Sequence, residues 1–132
     1  MTDNNDKQVS EFKSKSGVKR IYAAFFNSAD GFKTAWKNEH AIRQEVMMFV
    51  PATIIALLLP VSRIEKLVLI AVLVLVLVVE LINSAIEAAI DRISLERHPL
   101  SKTAKDIGSA AVFLMFALAG ATWVVILWPM AR

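Results

Sequence analysis

Thirteen consecutive apolar residues, Leu67 to Val79, run without interruption into Glu80. With its apolar flanks the segment reaches from about Ile64 or Leu67 to Ile90, long enough to cross a hydrocarbon layer of about 30 Å, which takes roughly 20 helical residues. The acid that ends the run is followed on the same helix by Asn83, Ser84, Glu87 and Asp91. At ~100° per residue, Glu80, Ser84, Glu87 and Asp91 fall within about 60° of one another, with Asn83 on the flank. Three acids therefore share one face of a membrane helix. A carboxylate within the bilayer costs roughly 2.5–3.5 kcal/mol on insertion scales, so such groups mark proton, ion or substrate sites. A single buried acid can serve as glue between helices. A stripe with two further acids needs another reason.

The rest of the composition agrees with a membrane chain. Of 132 residues, 56% are hydrophobic, which fits one small domain lying mostly in the bilayer. The absence of cysteine excludes disulfides, thiol catalysis and cysteine-ligated metal. His40 and His98 are far apart and have no neighbours at metal-binding spacing, which argues against zinc. The net charge of +3 comes from basic residues that flank apolar spans and form no dense tract with interleaved aromatics. Anionic lipid head groups are the counter-charge this suggests, and no nucleic-acid partner is expected. Residues 1–16 are polar with no apolar core of a signal peptide and read as a disordered tail.

The sequence predicts an all-α membrane protein with an N-terminal interfacial helix and three transmembrane helices. Between Val18 and Trp36 apolar residues recur every three or four positions, with Lys19, Arg20, Asn27, Asp30, Lys33 and Lys37 on the other side. This describes an amphipathic helix over 17–40 lying in the membrane interface, bent or restarted near Asp30-Gly31. Transmembrane helices are expected over 41–61, 64–90 and 107–130, the domain as a whole covering 17–132. Pro51 falls inside the first, Arg43, Gln44 and Glu45 sit at head-group depth in its first turns, and Trp123 and Trp128 lie in an interfacial belt at the end of the third. Lys and Arg concentrate before the first span and in the 91–106 loop, so the positive-inside rule places the N-terminus in the cytoplasm and the C-terminus outside. By the helical rise, Glu87 lies ~6 Å and Glu80 ~16 Å from Asp91, which makes Glu80 the buried member. Small residues four apart, Ser84 with Ala88, Ala85 with Ala89 and Ala117 with Ala121, suit close helix approach. Three helices scarcely enclose the stripe, so a homo-oligomer is expected.

Acids at the interface beside a basic loop are suited to Mg²⁺ and nucleotide phosphate, since Mg²⁺ takes a carboxylate or two together with phosphate oxygens. Glu39 and Glu87 are the candidates. Glu80, deeper in the apolar layer, is placed to accept a proton from a lipid hydroxyl. The chain has no GxxxxGK[ST] loop, so any nucleotide site is not of the P-loop kind. Lys102 and Lys105 fit either phosphate neutralisation or ordinary cytoplasmic flanking charge.

The segment from Glu80 through Asn83-Ser84-Ala85-Ile86-Glu87 to Asp91-Arg92 resembles the ExxNSAIExxxDR signature of the prokaryotic diacylglycerol kinases, small integral-membrane lipid kinases. Ala35-Trp36-Lys37-Asn38-Glu39, Arg43-Gln44-Glu45 and the block from Ala104-Lys105-Asp106 through Gly108-Ser109 to Val112 agree in the same order. The resemblance covers about Gly17 to Trp128. It implies a homotrimer with an active site shared between subunits that transfers the γ-phosphate of MgATP to diacylglycerol, giving phosphatidic acid in the bacterial inner membrane. Carried over by position, Glu80 is the general base and Glu39 and Glu87 are the metal ligands. The nucleotide contacts implied are Arg20, Asn27, Glu39, Glu87, Glu96, Arg97, His98, Lys105 and Asp106. The lipid contacts implied are Arg20, Trp36, Arg43, Gln44, Glu45, Glu80, Asn83 and Ser109.

Three other functions compete. Gram-positive members of the family are similar at the same motif but phosphorylate undecaprenol, whereas the interfacial helix and the Trp36–Glu45 block here resemble the Gram-negative type. An ion pathway requires polar residues continuing outward, and Leu67 to Val79 is wholly apolar. A non-catalytic membrane scaffold leaves Glu39, Lys105 and Asp106 without a purpose.

Overall fold

The apolar run and the acid stripe form a single helix in the computed structural model, which describes residues 17–132. The element order is α1 (Gly17–Asn38), α2 (His40–Leu58), α3 (Arg63–Ile93) and α4 (Pro99–Leu127), closed by a short 3-10 turn, Trp128–Ala131. Among the described residues there is no strand, and α2, α3 and the segment Pro99–Ala131 are each long and apolar enough to cross a membrane. The expected disordered tail, 1–16, lies outside the described residues. Two compact units result, the first ending at Thr34 and the second comprising Ala35–Arg132.

In the first unit α1 exposes its apolar stripe, with Val18, Ile21, Tyr22 and Phe25 all more than 60% accessible. Tyr22 stacks on Phe26 at 4.7 Å between ring centroids. Of the bend or restart expected near Asp30-Gly31, the restart does not occur: α1 is continuous from Gly17 to Asn38. One glycine costs a helix only about 1 kcal/mol relative to alanine, and the neighbouring residues sustain it.

In the second unit α3 is the central helix, packed on α4 and on α2. Its buried residues are Leu69, Val72, Leu73, Val76, Glu80 and Asn83, one stripe at spacings of three and four. Phe49 from α2 and Ala119 from α4 complete the apolar core, with Ala52, Leu77, Met115 and Trp123 packed against it. The opposite faces carry exposed Leu, Val, Ile and Phe, such as Phe113 and Val125, as a lipid-facing surface requires. Most of the small residues at fourfold spacing are exposed within the chain: Ser84 is half-buried, and Ala85, Ala88, Ala89, Ala117 and Ala121 are exposed.

Local chemistry fixes the ends. Ser62 caps α3 in a reciprocal box: Glu65 N donates to Ser62 Oγ at 3.2 Å, and Ser62 N donates to Glu65 Oε2 at 2.8 Å. Lys66 Nζ donates to the Leu57 carbonyl at 2.6 Å, satisfying one of the free acceptors at the end of α2. Trp123 is half-buried, and its Nε1 donates to the Leu69 carbonyl at 3.2 Å, so it ties α4 to α3 and is not only a belt residue. Trp128 remains exposed, with Arg132 6.0 Å from its ring.

α4 starts at Pro99, eight residues before the apolar stretch that marks it in the sequence. Proline suits a first helical position, and His98 Nδ1 accepts from Leu100 N at 3.2 Å as the N-cap. The expected 91–106 loop therefore shrinks to the few residues between Ile93 and Pro99. Lys102, Lys105 and Asp106 stand on a helix.

Candidate active site

The register of α3 sets the burial of its polar residues in order. Glu80 and Asn83 are each 8% exposed, Glu87 is half-buried, and Asp91, near the helix end, is exposed. Asn83 Nδ2 donates to Glu87 Oε1 at 3.2 Å, one turn along the helix. Its carbonyl Oδ1 lies against Gly108 of α4, where an added Cβ would stand 2.0 Å away. Only glycine lets α4 approach Asn83 this closely. The single chain thus encloses the deep end of the stripe, a greater enclosure than three helices were expected to give.

α2 brings the second buried acid. Glu45 is 4% exposed, on the inward stripe Ile42, Glu45, Phe49 and Ala56, a burial that the polar run Arg43-Gln44-Glu45 does not announce. Helical spacing explains it, since Glu45 lies three residues after Ile42 and four before Phe49. Arg43 and Gln44 point elsewhere. The Arg43 guanidinium donates to the carbonyls of Trp36 and Lys37 at 2.8 and 3.0 Å, closing the last turn of α1, and Gln44 is exposed.

Glu45 and Glu80 lie within electrostatic reach of each other, and the carboxylates of Glu39 and Glu87 lie within reach of Glu80. Glu39 is the half-buried residue between α1 and α2, in extended conformation at the α2 N-cap, and its side chain makes no cap bond. Four acids therefore converge near one end of α3, two of them buried. Glu45 Oε2 and Asn83 Oδ1 are buried without a hydrogen-bond partner. A buried acceptor left without a donor costs about 1–3 kcal/mol, which a donor such as an alcohol hydroxyl removes.

Beyond the acids, the ends of α3 and α4 and the short connection form an open cleft of about 620 Å³, lined by Asp91, Glu96, Arg97, His98, Lys105 and Asp106 among others. Lys105 Nζ donates to Asp91 Oδ1 at 2.7 Å across the two helices, and Lys102 pairs with Asp106 one turn along α4. The cleft is open to water and mixes three cations, Arg97, Lys102 and Lys105, with three acids, Asp91, Glu96 and Asp106. Arg20 and Asn27 are exposed on α1 in the first unit. Trp36 is 48% accessible, and Ser109 is exposed beside the buried Gly108.

Among the described residues no three His, Cys, Asp or Glu side chains form a ready metal cage. Glu39 and Glu87 each lie within electrostatic reach of Glu80, and carboxylates are the ligand type that suits Mg²⁺ arriving with phosphate oxygens. Sequence reasoning missed the Gly108 notch and the bridge from Asp91 to Lys105. The signal for the first is only a glycine beside an expected site residue, Ser109, in the block that begins at Ala104. For the second it is an acid at the end of the stripe with a lysine 14 residues later.

Residues 26–127 match the family model described as prokaryotic diacylglycerol kinase. A diacylglycerol kinase of Pseudomonas aeruginosa is 52% identical over 118 residues, covering 89% of this chain and 96% of the relative. One from Escherichia coli K12 is 46% identical over 113 residues, covering 86% and 93%. One from Helicobacter pylori is 42% identical over 95 residues, covering 72% and 74%. With an all-helical chain of three membrane-length helices, its acids gathered at one end, and relatives aligned over most of its length, the chain belongs to the prokaryotic diacylglycerol kinase family.

Proposed function

We propose that the chain transfers the γ-phosphate of MgATP to the hydroxyl of sn-1,2-diacylglycerol, forming phosphatidic acid and ADP at the cytoplasmic face of a bacterial inner membrane. The observation that carries the reading is the pair of acids buried among apolar side chains, Glu45 and Glu80, one with an unpartnered oxygen, on the helices that lead to a charged cleft open to water. A lipid alcohol and a water-soluble phosphate donor need such a border. A hydrocarbon layer of about 30 Å takes roughly 20 residues. Counted from Ile64, it ends near Asn83, so Glu80 falls just inside the layer and Glu87 and Asp91 outside.

Glu80 takes the proton of the lipid hydroxyl as its oxygen attacks the γ-phosphorus, and the bond from that phosphorus to the bridging oxygen of ADP breaks. Glu45 and Asn83 face the hydroxyl and fix its approach, with Trp36, Arg43, Gln44 and Ser109 bordering the lipid. Arg43 acts there by holding the end of α1. Lys105, with Arg97, His98, Glu96 and Asp106, holds the nucleotide, and Arg20 and Asn27 are nucleotide contacts on the family resemblance alone. Glu39 and Glu87 hold the magnesium ion, which when bound neutralises phosphate charge. A homotrimer sharing sites between subunits gives the exposed small residues of α3 and α4 a neighbour. The basic residues before α2 and around the α3–α4 connection support a cytoplasmic N-terminus.

The test is transfer of labelled phosphate from MgATP to diacylglycerol and, in parallel, to undecaprenol, with the purified protein in mixed micelles. Label in phosphatidic acid is expected. Label in undecaprenyl phosphate alone overturns the choice of lipid, and label in neither overturns the kinase reading of the site.

A further inference from the structure

The acid stripe of α3 ends in a residue that none of these roles uses. Asp91 lies one turn beyond Glu87 and accepts the hydrogen bond of Lys105 Nζ at 2.7 Å, from a helix 14 residues further along the chain. The side chains are 39% and 50% accessible for Lys105 and Asp91 respectively. Ion pairs this exposed add little to stability. α3 and α4 are, moreover, already joined by the apolar core and by the Trp123 bond. A purely mechanical strap is a poor account of the bridge.

Its geometry favours another. Lysine carries a point charge on a flexible four-carbon stem, so a free Lys105 would sample many positions in the cleft. One charge-assisted bond selects one of them. The ammonium has three donors, and Asp91 takes one, leaving the others for phosphate oxygens. Lys102 differs, because its acid, Asp106, comes from its own helix. Of the two lysines, Lys105 is the one tied to the helix that carries Glu80 and Glu87, so its charge keeps register with those groups and with nothing on α4 alone.

We propose that Asp91 is a positioning residue for phosphoryl transfer, fixing the Lys105 ammonium relative to the acids of α3 before the nucleotide arrives. The inference rests on the reading of Lys105 as a phosphate contact. Preorganised donors act on charge that develops in the transition state, so their loss falls on turnover. Removing the Asp91 charge also makes the cleft more positive, so nucleotide binding is not weakened.

The experiment compares wild type, D91A, D91E and K105M as full-length protein in mixed micelles, measuring kcat, KM for MgATP and the half-life of activity on heating. Expected for D91A is a kcat lower by about tenfold or more, a KM for MgATP unchanged or lowered by less than about threefold, and a half-life within about twofold of wild type. D91E, which keeps the carboxylate, recovers kcat to within about threefold of wild type. A D91A variant with wild-type kcat, beside an impaired K105M, overturns the role of Asp91 alone. A wild-type K105M overturns the reading of Lys105 beneath it. A D91A that fails to assemble, or that D91E does not rescue, makes Asp91 a structural strap and equally overturns the proposal.

Discussion

Replacing Gly108 with alanine tests the closest approach of α4 to α3. The new methyl group would stand 2.0 Å from Asn83 Oδ1 and 3.2 Å from Asn83 Cγ, inside any tolerable contact. Turning the amide about its last torsion only brings the nitrogen into the same place. The whole side chain must therefore take another rotamer, in a site where Asn83 is 8% exposed. That move breaks the bond from Asn83 Nδ2 to Glu87. Overpacking of this kind costs about 1–3 kcal/mol, and a lost hydrogen bond costs about 1 kcal/mol. Alanine returns about 1 kcal/mol through its helix propensity. The net expectation is a destabilisation of about 2 kcal/mol, a factor of about 30 in the ratio of folded to unfolded protein. Activity falls as well, because Glu87 loses the group that orients it. The assay is a denaturant titration in mixed micelles followed by kinetics on the folded fraction, with G120A on the same helix as the control. Nothing in the chain lies within 4 Å of a Cβ at Gly120, so G120A is expected to match or slightly exceed wild type in stability. A G108A protein as stable and as active as G120A would refute the rigid approach of the two helices.

Three further outcomes follow from the site and the caps. E80Q keeps the shape of the side chain but cannot take a proton, so phosphate transfer to the lipid should fall by about 10²–10⁴ at unchanged assembly, read by turnover and by size on a detergent column. E87Q keeps an oxygen for Asn83 to donate to and removes only the charge. A rise in the Mg²⁺ concentration for half-maximal rate, with stability held, is the expected sign of a metal ligand, and an unchanged requirement in an active variant contradicts it. S62A removes the hydroxyl that caps α3 and should cost about 1 kcal/mol in denaturation while leaving KM and kcat alone, since the cap lies at the far end of α3 from the acids.

The sequence makes α3 legible because one segment carries two independent signals, continuous hydropathy and a polar stripe at helical spacing. The burial of Glu80 follows from those signals without any knowledge of neighbours. Glu45 does not yield to the same reasoning. It stands in the run Arg43-Gln44-Glu45, which reads as a polar interface, and only the angle between successive residues turns the third inward while the second stays exposed. The start of α4 is obscured for a related reason: hydropathy marks where a helix enters lipid, whereas the helix itself begins at a capped proline in water. The Gly108 notch is a property of two helices at once and has no signature in either. Conversely, the small-residue pairs are plain in the sequence, yet within the chain most of these residues face outward, so spacing alone does not say which partner a close-packing face meets.

The arrangement explains why one long helix can serve a reaction between phases. α3 has 31 residues and spans ~46 Å, well beyond a hydrocarbon layer of about 30 Å. Its surplus projects into the interface, and each turn of that end presents one polar group at a different depth: Glu80, then Asn83, then Glu87, then Asp91. The spacing between them is set by the backbone, not by side-chain packing, and does not change with the lipid around it. α2 contributes Glu45 beside the deepest group, and α4 contributes Lys105 beside the shallowest. In the proposed reaction, the proton acceptor that meets a lipid hydroxyl and the cation that meets a phosphate in water are thereby held on one ruler, ~16 Å from first to last. Moving α4 along α3 by a single turn would break both its match at Asp91 and its close approach at Asn83, which is why the Gly108 contact, between Glu80 and Asp91, is the place where a small change in packing should be felt in turnover as well as in stability.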